Sequence, residues 1–350
     1  MTRGLAALGV IWGHSIYSMG APLALNGAFW VWVFLPLSGY LVARSFDPGG
    51  YARTLQGSWH FLWNRALRLV PLAEGALLIG LLIALVARAD VSAKVYRQFL
   101  FVPPLNDMSL VGPLWTVAAE LQFYLAAILL LPAMRLVWRY TGVVGGALAW
   151  VGVIHISRLW ITAIGDNSSQ PRTMIGNLAF FVFGILLAQP LMPPVRIPAW
   201  LKTLLIGVGV GVAWYLENYN AAYFWAWGPH TTWPFGGAAL CALVITAFVL
   251  LTQTSVASPG PIARVGAALQ WCGFYTYGIY VAHSVLVSAN NGLWHVKPGW
   301  ARLAILVCAV PIAPLTYSYF ERWWLRMKVD RPARVRSTAD PATVEAVHGG

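Results

Sequence analysis

Residues 69–86 read LVPLAEGALLIGLLIALV and contain one charged side chain, Glu74. A helix of about 20 mostly apolar residues is long enough to cross a bilayer. In lipid, the backbone polar groups of a single spanning segment must be satisfied within it, which favours the α-helix. The run extends over residues 67–88 and is predicted to be a transmembrane helix. It therefore sets the fold class as a helical membrane protein.

Nine further apolar stretches bring the prediction to ten spans. The ten run over residues 4–21, 27–46, 67–88, 113–134, 141–162, 174–192, 201–217, 234–253, 268–290 and 301–324. Apolar residues make up 59% of the chain and charged residues 10%, and the mean hydropathy is +0.66. A soluble domain carries roughly 25% charged residues. The prediction is an all-α polytopic membrane protein, and soluble enzymes, disulfide scaffolds and disordered proteins are excluded.

The basic residues predict the orientation of these spans. If both termini are cytoplasmic, sixteen of the 23 Lys and Arg lie on the cytoplasmic side and seven on the outer side. The positive-inside rule favours this arrangement in the cell (inner or plasma) membrane. The net charge of +12 is therefore interpreted as a topology signal and not as a nucleic-acid interface. Residues 1–326 are predicted to form the membrane domain, and residues 327–350 a polar, disordered cytoplasmic tail.

The first apolar run, directly after Met1-Thr-Arg, has two interpretations. It fits a cleaved signal peptide or a retained first span. The Gly13-His14 pair interrupts the run, and the next segment enters the membrane again without a soluble portion between them. These features favour the retained span, which keeps His14 in the protein.

Titratable residues deep in a span are costly and are therefore functional candidates. His14 lies ~16 Å above the inner edge of the first span, and Glu120 ~10 Å below the outer edge of the fourth, at about 1.5 Å per residue. On neighbouring helices the two side chains could meet, and a carboxylate beside an imidazole is typical of a general base. The alternative is two unrelated polar residues, each bonded to backbone carbonyls.

Three arginines lie near the predicted cytoplasmic ends of spans. Arg3 stands three helical turns below His14, and Arg65 and Arg68 are one turn apart at the start of the third span. Guanidinium groups in this position suit the phosphates of a donor that enters from the cytoplasm. They suit a positive-inside anchor or lipid headgroups equally well.

Other polar positions have weaker signals. Tyr277, Tyr280 and His283 share one helix face at three-residue spacing, although His283 also fits a satisfied buried histidine. His155 and Arg158 share a face near the outer end of the fifth predicted span and are candidates for an anionic or sugar acceptor, whereas Glu74 could simply pair with Arg68. The histidines are dispersed and the three cysteines lie in apolar segments, so no metal site is predicted.

Six of these segments together resemble the acyltransferase type 3 family of membrane acyltransferases, in the family's order and over nearly the whole chain up to about residue 326. They are Arg3-Gly-Leu-Ala-Ala-Leu-Gly-Val-Ile-Trp-Gly-His14, Phe34-Leu-Pro-Leu-Ser38-Gly39-Tyr40-Leu41, Arg65-Ala-Leu-Arg68-Leu-Val-Pro71, Pro113-Leu-Trp115-Thr-Val-Ala-Ala-Glu120-Leu-Gln122-Phe123-Tyr124, Tyr277-Gly-Ile-Tyr280-Val-Ala-His283 and Tyr319-Phe-Glu321-Arg322. Leu121 departs from the family pattern, in which a second acidic residue is common beside the Glu. This departure puts schemes with two carboxylates in doubt.

The resemblance implies transfer of an acyl group, usually acetyl, from acyl-CoA to a hydroxyl of a carbohydrate or glycolipid acceptor. It implies His14 as the general base and Glu120 as the residue that orients it. It further implies Arg3, Arg65 and Arg68 as ligands of acyl-CoA, and His283, Tyr280 and Trp115 as contacts to the acceptor.

Two rival functions remain. A transporter or flippase for a glycan or lipid would also need polar residues at mid-membrane depth. The internal repeats that many transporters show are not found between the two halves of the sequence. A non-catalytic partner in a glycan-assembly complex is the other possibility, and an assay of acyl transfer separates all three.

Overall fold

The computed structural model of the chain describes residues 2–16, 25–47, 50–51, 53–91, 95–102, 110–163, 172–190, 195–220, 236–254 and 261–329. Most of the tail predicted to be disordered, from residue 330 onward, lies outside the described residues. The same is true of the end of the first predicted span, residues 17–21.

Helices dominate the described residues. They are α1 (Thr2–Ile16), α2 (Gly27–Ser45), α3 (Leu55–Val86), α4 (Tyr96–Phe99), α5 (Trp115–Ala163), α6 (Leu178–Leu187), α7 (Ala199–Tyr219), α8 (Gly237–Leu251), α9 (Pro261–Phe274), α10 (Thr276–Ala289), α11 (Trp300–Val307), α12 (Ala309–Thr316) and α13 (Arg322–Leu325). Two short strands, β1 (Val195–Ile197) and β2 (Thr252–Thr254), pair in parallel with Val195 opposite Thr252. The all-α fold class is confirmed, and this strand pair is a local addition next to α7 and α8.

Five helical segments of the described chain are long and apolar enough to cross a membrane. They are Gly27–Ser45, Leu55–Val86, Gly112–Ala163, Trp200–Tyr219 and Trp300–Leu325. Two shorter apolar helical segments cover Ile175–Leu187 and Gly237–Leu251. On α3, Leu78, Leu82 and Leu85 are 55%, 61% and 59% exposed on one face. A row of exposed leucines of this kind suits contact with lipid, because soluble proteins rarely expose so large an apolar surface to water.

Local sequence explains several helix boundaries. The side chain of Asn26 accepts a hydrogen bond from Ala28 N at the start of α2, and that of Thr54 accepts one from Gly57 N at the start of α3. Inside α5, Gly142 has a φ of 61°, which breaks the helix where the fourth and fifth predicted spans meet. The predicted span 268–290 is likewise divided at Tyr275, between α9 and α10.

Helices α2 and α6 make the most extensive helix–helix contact, and two glycines allow it. A Cβ atom on Gly39 would lie 2.0 Å from Phe181 O, and one on Gly184 would lie 1.9 Å from Pro36 O. Only glycine permits backbones to approach this closely. The Phe123 ring of α5 stacks on Phe181 at 4.0 Å between centroids, so α2, α5 and α6 form one packed unit.

Helix α1 is held against its neighbours in the same way. A Cβ atom on Gly4 would lie 2.2 Å from Leu269 O of α9, and one on Gly13 would lie 2.5 Å from Gly27 N of α2. Helix α10 packs on α1, α3 and α12. Helices α1, α2, α3, α5 and α10 therefore surround a common central region, and most of the polar residues predicted from the sequence lie there.

Candidate active site

One cavity of the central region contains the predicted arginine cluster. It has a volume of about 80 Å³ and lies between α1, α2, α3, α5 and α10. Its charged lining residues are Arg3, Arg65, Arg68 and Glu120. Since three guanidinium groups face one carboxylate here, this inner cavity suits a polyanionic ligand.

The arginines of the inner cavity are partly positioned by the protein. Arg65 donates a hydrogen bond to Ser45 Oγ at 3.1 Å, and its guanidinium lies 5.3 Å from the ring centroids of both Phe61 and Tyr124. The Nε atom of Arg3 is buried and has no hydrogen-bond partner among the described residues. Arg3 therefore keeps donor capacity for a ligand in this cavity.

Glu120 also lines the inner cavity, and its partners differ from those predicted. Its Oε1 atom accepts hydrogen bonds from Ser38 Oγ at 2.8 Å and from the Tyr124 hydroxyl. The structure does not bring the Glu120 carboxylate to His14: it is bound to α2 and to its own helix, α5. The two residues have similar depths in the sequence-based estimate, but they face different cavities.

His14 instead contacts His283. His14 Nδ1 lies 3.1 Å from His283 Nε2 and 3.1 Å from the carbonyl oxygen of Val10. His283 Nδ1 lies 2.7 Å from the carbonyl oxygen of Tyr280, and its ring is fully buried. The two rings are 5.1 Å apart between centroids and tilted by 36°. Helices α1 and α10 thus bring together two histidines that are 269 positions apart in the chain.

The backbone carbonyls determine the tautomers of both neutral rings. A carbonyl oxygen only accepts, so His283 Nδ1 carries a proton that it donates to Tyr280 O, and His283 Nε2 is an acceptor. His14 Nδ1 then carries the proton that is shared between Val10 O and His283 Nε2. The remaining nitrogen, His14 Nε2, is unprotonated and has no hydrogen-bond partner among the described residues. It is the basic atom of the pair.

His14 lines a second, larger cavity, here called the outer cavity. It has a volume of about 490 Å³, and Trp115, Arg172 and Arg302 also line it. Tyr280 and Val31 line both cavities. The two cavities are therefore adjacent, with the histidine pair at the outer one and the arginine cluster at the inner one.

Tyr280 is fixed at this boundary by hydrogen bonds to α5 and to the segment before it. Its hydroxyl contacts the carbonyl oxygen of Pro113 and accepts a hydrogen bond from Thr116 Oγ1 at 2.7 Å. The Pro-Leu-Trp-Thr segment that starts α5 thereby positions the tyrosine, and the neighbouring Trp115 ring lines the outer cavity.

Three further sequence candidates lie elsewhere. Glu74 is half-buried and lines neither cavity. His155 and Arg158 on α5 are exposed and also line neither cavity. The sequence does not single out Arg302 and Arg172 as cavity residues, because each is one of the seven basic residues on the predicted outer side.

The described residues contain no group of three or more His, Cys, Asp or Glu side chains placed to bind a metal ion. The absence of a metal remains a sequence-based prediction. The chemistry of the site is therefore considered from its imidazole, guanidinium and carboxylate groups.

Comparison with known proteins places the chain within one family. The sequence model of the acyltransferase type 3 family, described as an acyltransferase domain, matches residues 1–318. The chain is also similar to Nodulation protein 10 of Rhizobium leguminosarum bv. viciae, at 24% identity over 383 residues that cover 97% of this chain and 96% of the relative. No solved structure matches the chain.

Proposed function

Because the chain belongs to the acyltransferase type 3 family, we propose that it transfers an acyl group, expected to be acetyl, from acyl-CoA to a hydroxyl of a carbohydrate or glycan precursor. The catalytic domain comprises residues 1–326 in the cell (inner or plasma) membrane. The topology that goes with this proposal has ten spans and cytoplasmic termini, with the inner cavity facing the cytoplasm.

The observation that carries the proposal is the hydrogen-bonded chain from Tyr280 O through His283 to His14. It leaves His14 Nε2 unprotonated at the wall of a cavity large enough for a sugar. A hydroxyl must lose its proton as it attacks a thioester, and an oriented imidazole is a suitable general base for that step. His283 takes the orienting role that a carboxylate fills in other triads.

The inner cavity supplies the complementary donor site. Arg3, Arg65 and Arg68 would bind the phosphates of acyl-CoA, and the thiol arm would reach past Tyr280 toward His14. Glu120 would limit the excess positive charge and hold α2 to α5 through Ser38. This arrangement keeps the phosphates among the arginines while the thioester reaches the boundary of the two cavities.

With these groups, every proton and bond in the transfer reaction is accounted for. His14 Nε2 removes the proton of the acceptor hydroxyl as its oxygen forms a bond to the thioester carbon. The carbon–sulfur bond breaks, and the CoA thiolate takes the proton from the His14 imidazolium. The products are an ester and free CoA, and His14 returns to its neutral form.

The test follows acetyl transfer in membranes from cells that express the protein. Radiolabelled acetyl-CoA is supplied, and label is measured in glycans, lipids and small metabolites. The variants are His14→Ala and, as a matched control, His155→Ala, because His155 is exposed and lies outside both cavities. Detergent size-exclusion chromatography checks that each variant is folded.

We expect label with the parent and the control and a loss of at least about 100-fold with His14→Ala, the lower range for removal of a general base. Equal label in all three would refute His14 as the base. Absence of label in every sample, with folded protein and glycan moved across the membrane, would favour the transporter.

A further inference from the structure

The outer cavity is cationic on the side that receives the acceptor. Arg172 and Arg302 line it together with His14, and no Asp or Glu is found among the described residues that do so. Glu217 does not line the cavity; its Oε2 accepts a hydrogen bond at 2.8 Å from the backbone N–H of Asn26, which does line it. Neither Arg172 nor Arg302 forms an ion pair with a residue that the structure describes.

Arg302 is held close to the catalytic pair by the packing of α11 on α1. The N–H of Gly299, just before α11, donates to the carbonyl oxygen of Ser15 at 2.9 Å, one residue after His14. The Trp300 ring makes an edge contact with Trp12 of α1 at 6.0 Å between centroids. Arg302 and His14 line the same cavity. The guanidinium is thus part of the site and not a mobile surface group.

The guanidinium of Arg302 also has unused donors. One of its terminal nitrogens donates to Asn291 Oδ1 at 3.4 Å, whereas its Nε atom is buried and has no hydrogen-bond partner among the described residues. Arginine has five N–H donors, and Arg302 is half-buried at the outer end of its helix with most of these donors unused. An anionic ligand in the outer cavity would supply acceptors for them.

We propose that the outer cavity binds an acceptor that carries an oxyanion, such as a carboxylate, phosphate or sulfate, close to the hydroxyl that is acylated. Arg302 is the main anion ligand, and the exposed Arg172 adds charge at the mouth. An acidic sugar has this chemistry. The inference rests on the proposed function, because it assigns the substrate class of the site in which His14 acts.

Orientation follows from this assignment. An oxyanion bound to the guanidinium fork is held in a defined geometry. The hydroxyl beside it would then be presented to His14 Nε2, and a neutral analogue would lack that restraint. A neutral sugar of the same shape is therefore expected to bind more weakly.

The experiment is a competition assay on the full-length protein in membranes. Transfer of labelled acetyl to the endogenous acceptor is measured with increasing methyl β-D-glucuronide or methyl β-D-glucoside, which differ at C6 by a carboxylate or a hydroxymethyl group. The variants are Arg302→Gln and Arg302→Lys. Arg158→Gln is the matched control, since Arg158 is exposed and outside both cavities.

In the parent and in Arg158→Gln, the glucuronide should inhibit at about 10- to 100-fold lower concentration than the glucoside, the range for one hydrogen-bonded charge. Arg302→Gln should abolish this difference in inhibitory concentration, and Arg302→Lys should retain part of it. In both variants the acetyl-CoA concentration that gives the half-maximal rate should be unchanged. If Arg302→Gln does not fold, Arg172→Gln and Arg302→Lys should each reduce the ratio between the inhibitory concentrations of the glucoside and the glucuronide.

Equal inhibition by the two sugars, or by neither while transfer proceeds, would overturn the anionic acceptor and leave the acyltransferase intact. A difference that persists in folded Arg302→Gln would overturn the role of this arginine. No transfer in the parent would instead refute the proposed function, and this inference with it.

Discussion

Replacement of His283 separates two roles that the residue could have. The sequence predicts a contact with the acceptor, whereas the structure places His283 Nε2 3.1 Å from His14 Nδ1 and buries the ring completely. His283→Gln keeps an acceptor near the position of Nε2. His283→Asn keeps a donor near Nδ1 for Tyr280 O but cannot reach His14. The two amides therefore divide the two hydrogen bonds of the histidine between them.

The magnitude follows from the change in this hydrogen bond during the reaction. A bond between neutral groups contributes about 1 kcal/mol and one with a charged partner about 1.5–3 kcal/mol. His14 is neutral before proton transfer and an imidazolium in the transition state, so the bond gains about 0.5–2 kcal/mol there. The loss corresponds to about 2- to 30-fold in kcat. Val10 O, also 3.1 Å from His14 Nδ1, retains part of the orientation, which keeps the effect below that of His14→Ala.

The assay measures initial rates of acetyl transfer at varied acceptor and saturating acetyl-CoA. We expect kcat to fall by the stated factor in His283→Asn and to be largely restored in His283→Gln, with the KM for the acceptor little changed in both. Chromatographic monodispersity and thermal stability in detergent are recorded for each variant. They separate loss of the hydrogen bond from loss of the fold.

Two results would refute this reasoning. An increase in acceptor KM at constant kcat would show that His283 binds the acceptor, as the sequence predicts. An Asn variant that is as active as the Gln variant would show that the His283–His14 hydrogen bond does not support catalysis.

Three other substitutions test the remaining parts of the site. Arg3→Gln should raise the KM for acetyl-CoA by about 10- to 100-fold, the effect of losing one charged hydrogen bond, in initial-rate assays, and an unchanged KM would remove Arg3 from the donor site. Glu120→Gln should keep kcat at saturating acetyl-CoA within about 10-fold of the parent, because Glu120 contacts Ser38 and Tyr124 and not His14. Removal of the general base itself costs about 100-fold or more, so a loss in kcat equal to that of His14→Ala would show that Glu120 orients His14. Gly13→Ala should destabilise the fold by about 1–3 kcal/mol through overpacking, because its Cβ would lie 2.5 Å from Gly27 N. Gly27→Ala is the control, since the nearest contact of its Cβ would be His14 Cε1 at 3.4 Å. A thermal-unfolding assay in detergent should show a lower Tm for Gly13→Ala and not for Gly27→Ala.

Periodicity and depth are sufficient to predict the helical class and the placement of several candidate residues. The apolar run of 69–86 lies within α3, and Tyr280 and His283 share a face of α10 as their spacing predicts. Arg3, Arg65 and Arg68 do line one cavity. These residues are near predicted helix ends, so depth alone placed them at the same level.

The contact between His14 and His283 was not predictable from depth. An estimate at 1.5 Å per residue gives the height of a side chain but not the direction in which it points. That direction depends on which helices pack together, here through close approaches such as Gly13 to Gly27 and Gly4 to Leu269. Such contacts join residues far apart in the chain, and a single sequence does not reveal them.

The charge distribution gives a physical reason for a histidine, and not a carboxylate, beside His14. A carboxylate there would put a negative charge next to the outer cavity, where it would repel the anionic acceptor that Arg302 is proposed to bind. Burial of an ion that lacks a close partner also costs several kcal/mol. A neutral His283 would orient His14 without repelling the acceptor and without burying an ion, because its own orientation comes from a hydrogen bond to the Tyr280 carbonyl. In the proposed reaction, positive charge would develop on His14 only during proton transfer, and the oxyanion of the proposed acceptor would stabilise it at that moment. Glu120, the carboxylate that sequence reasoning assigned to His14, is instead found among the three arginines of the inner cavity, where opposite charges compensate it.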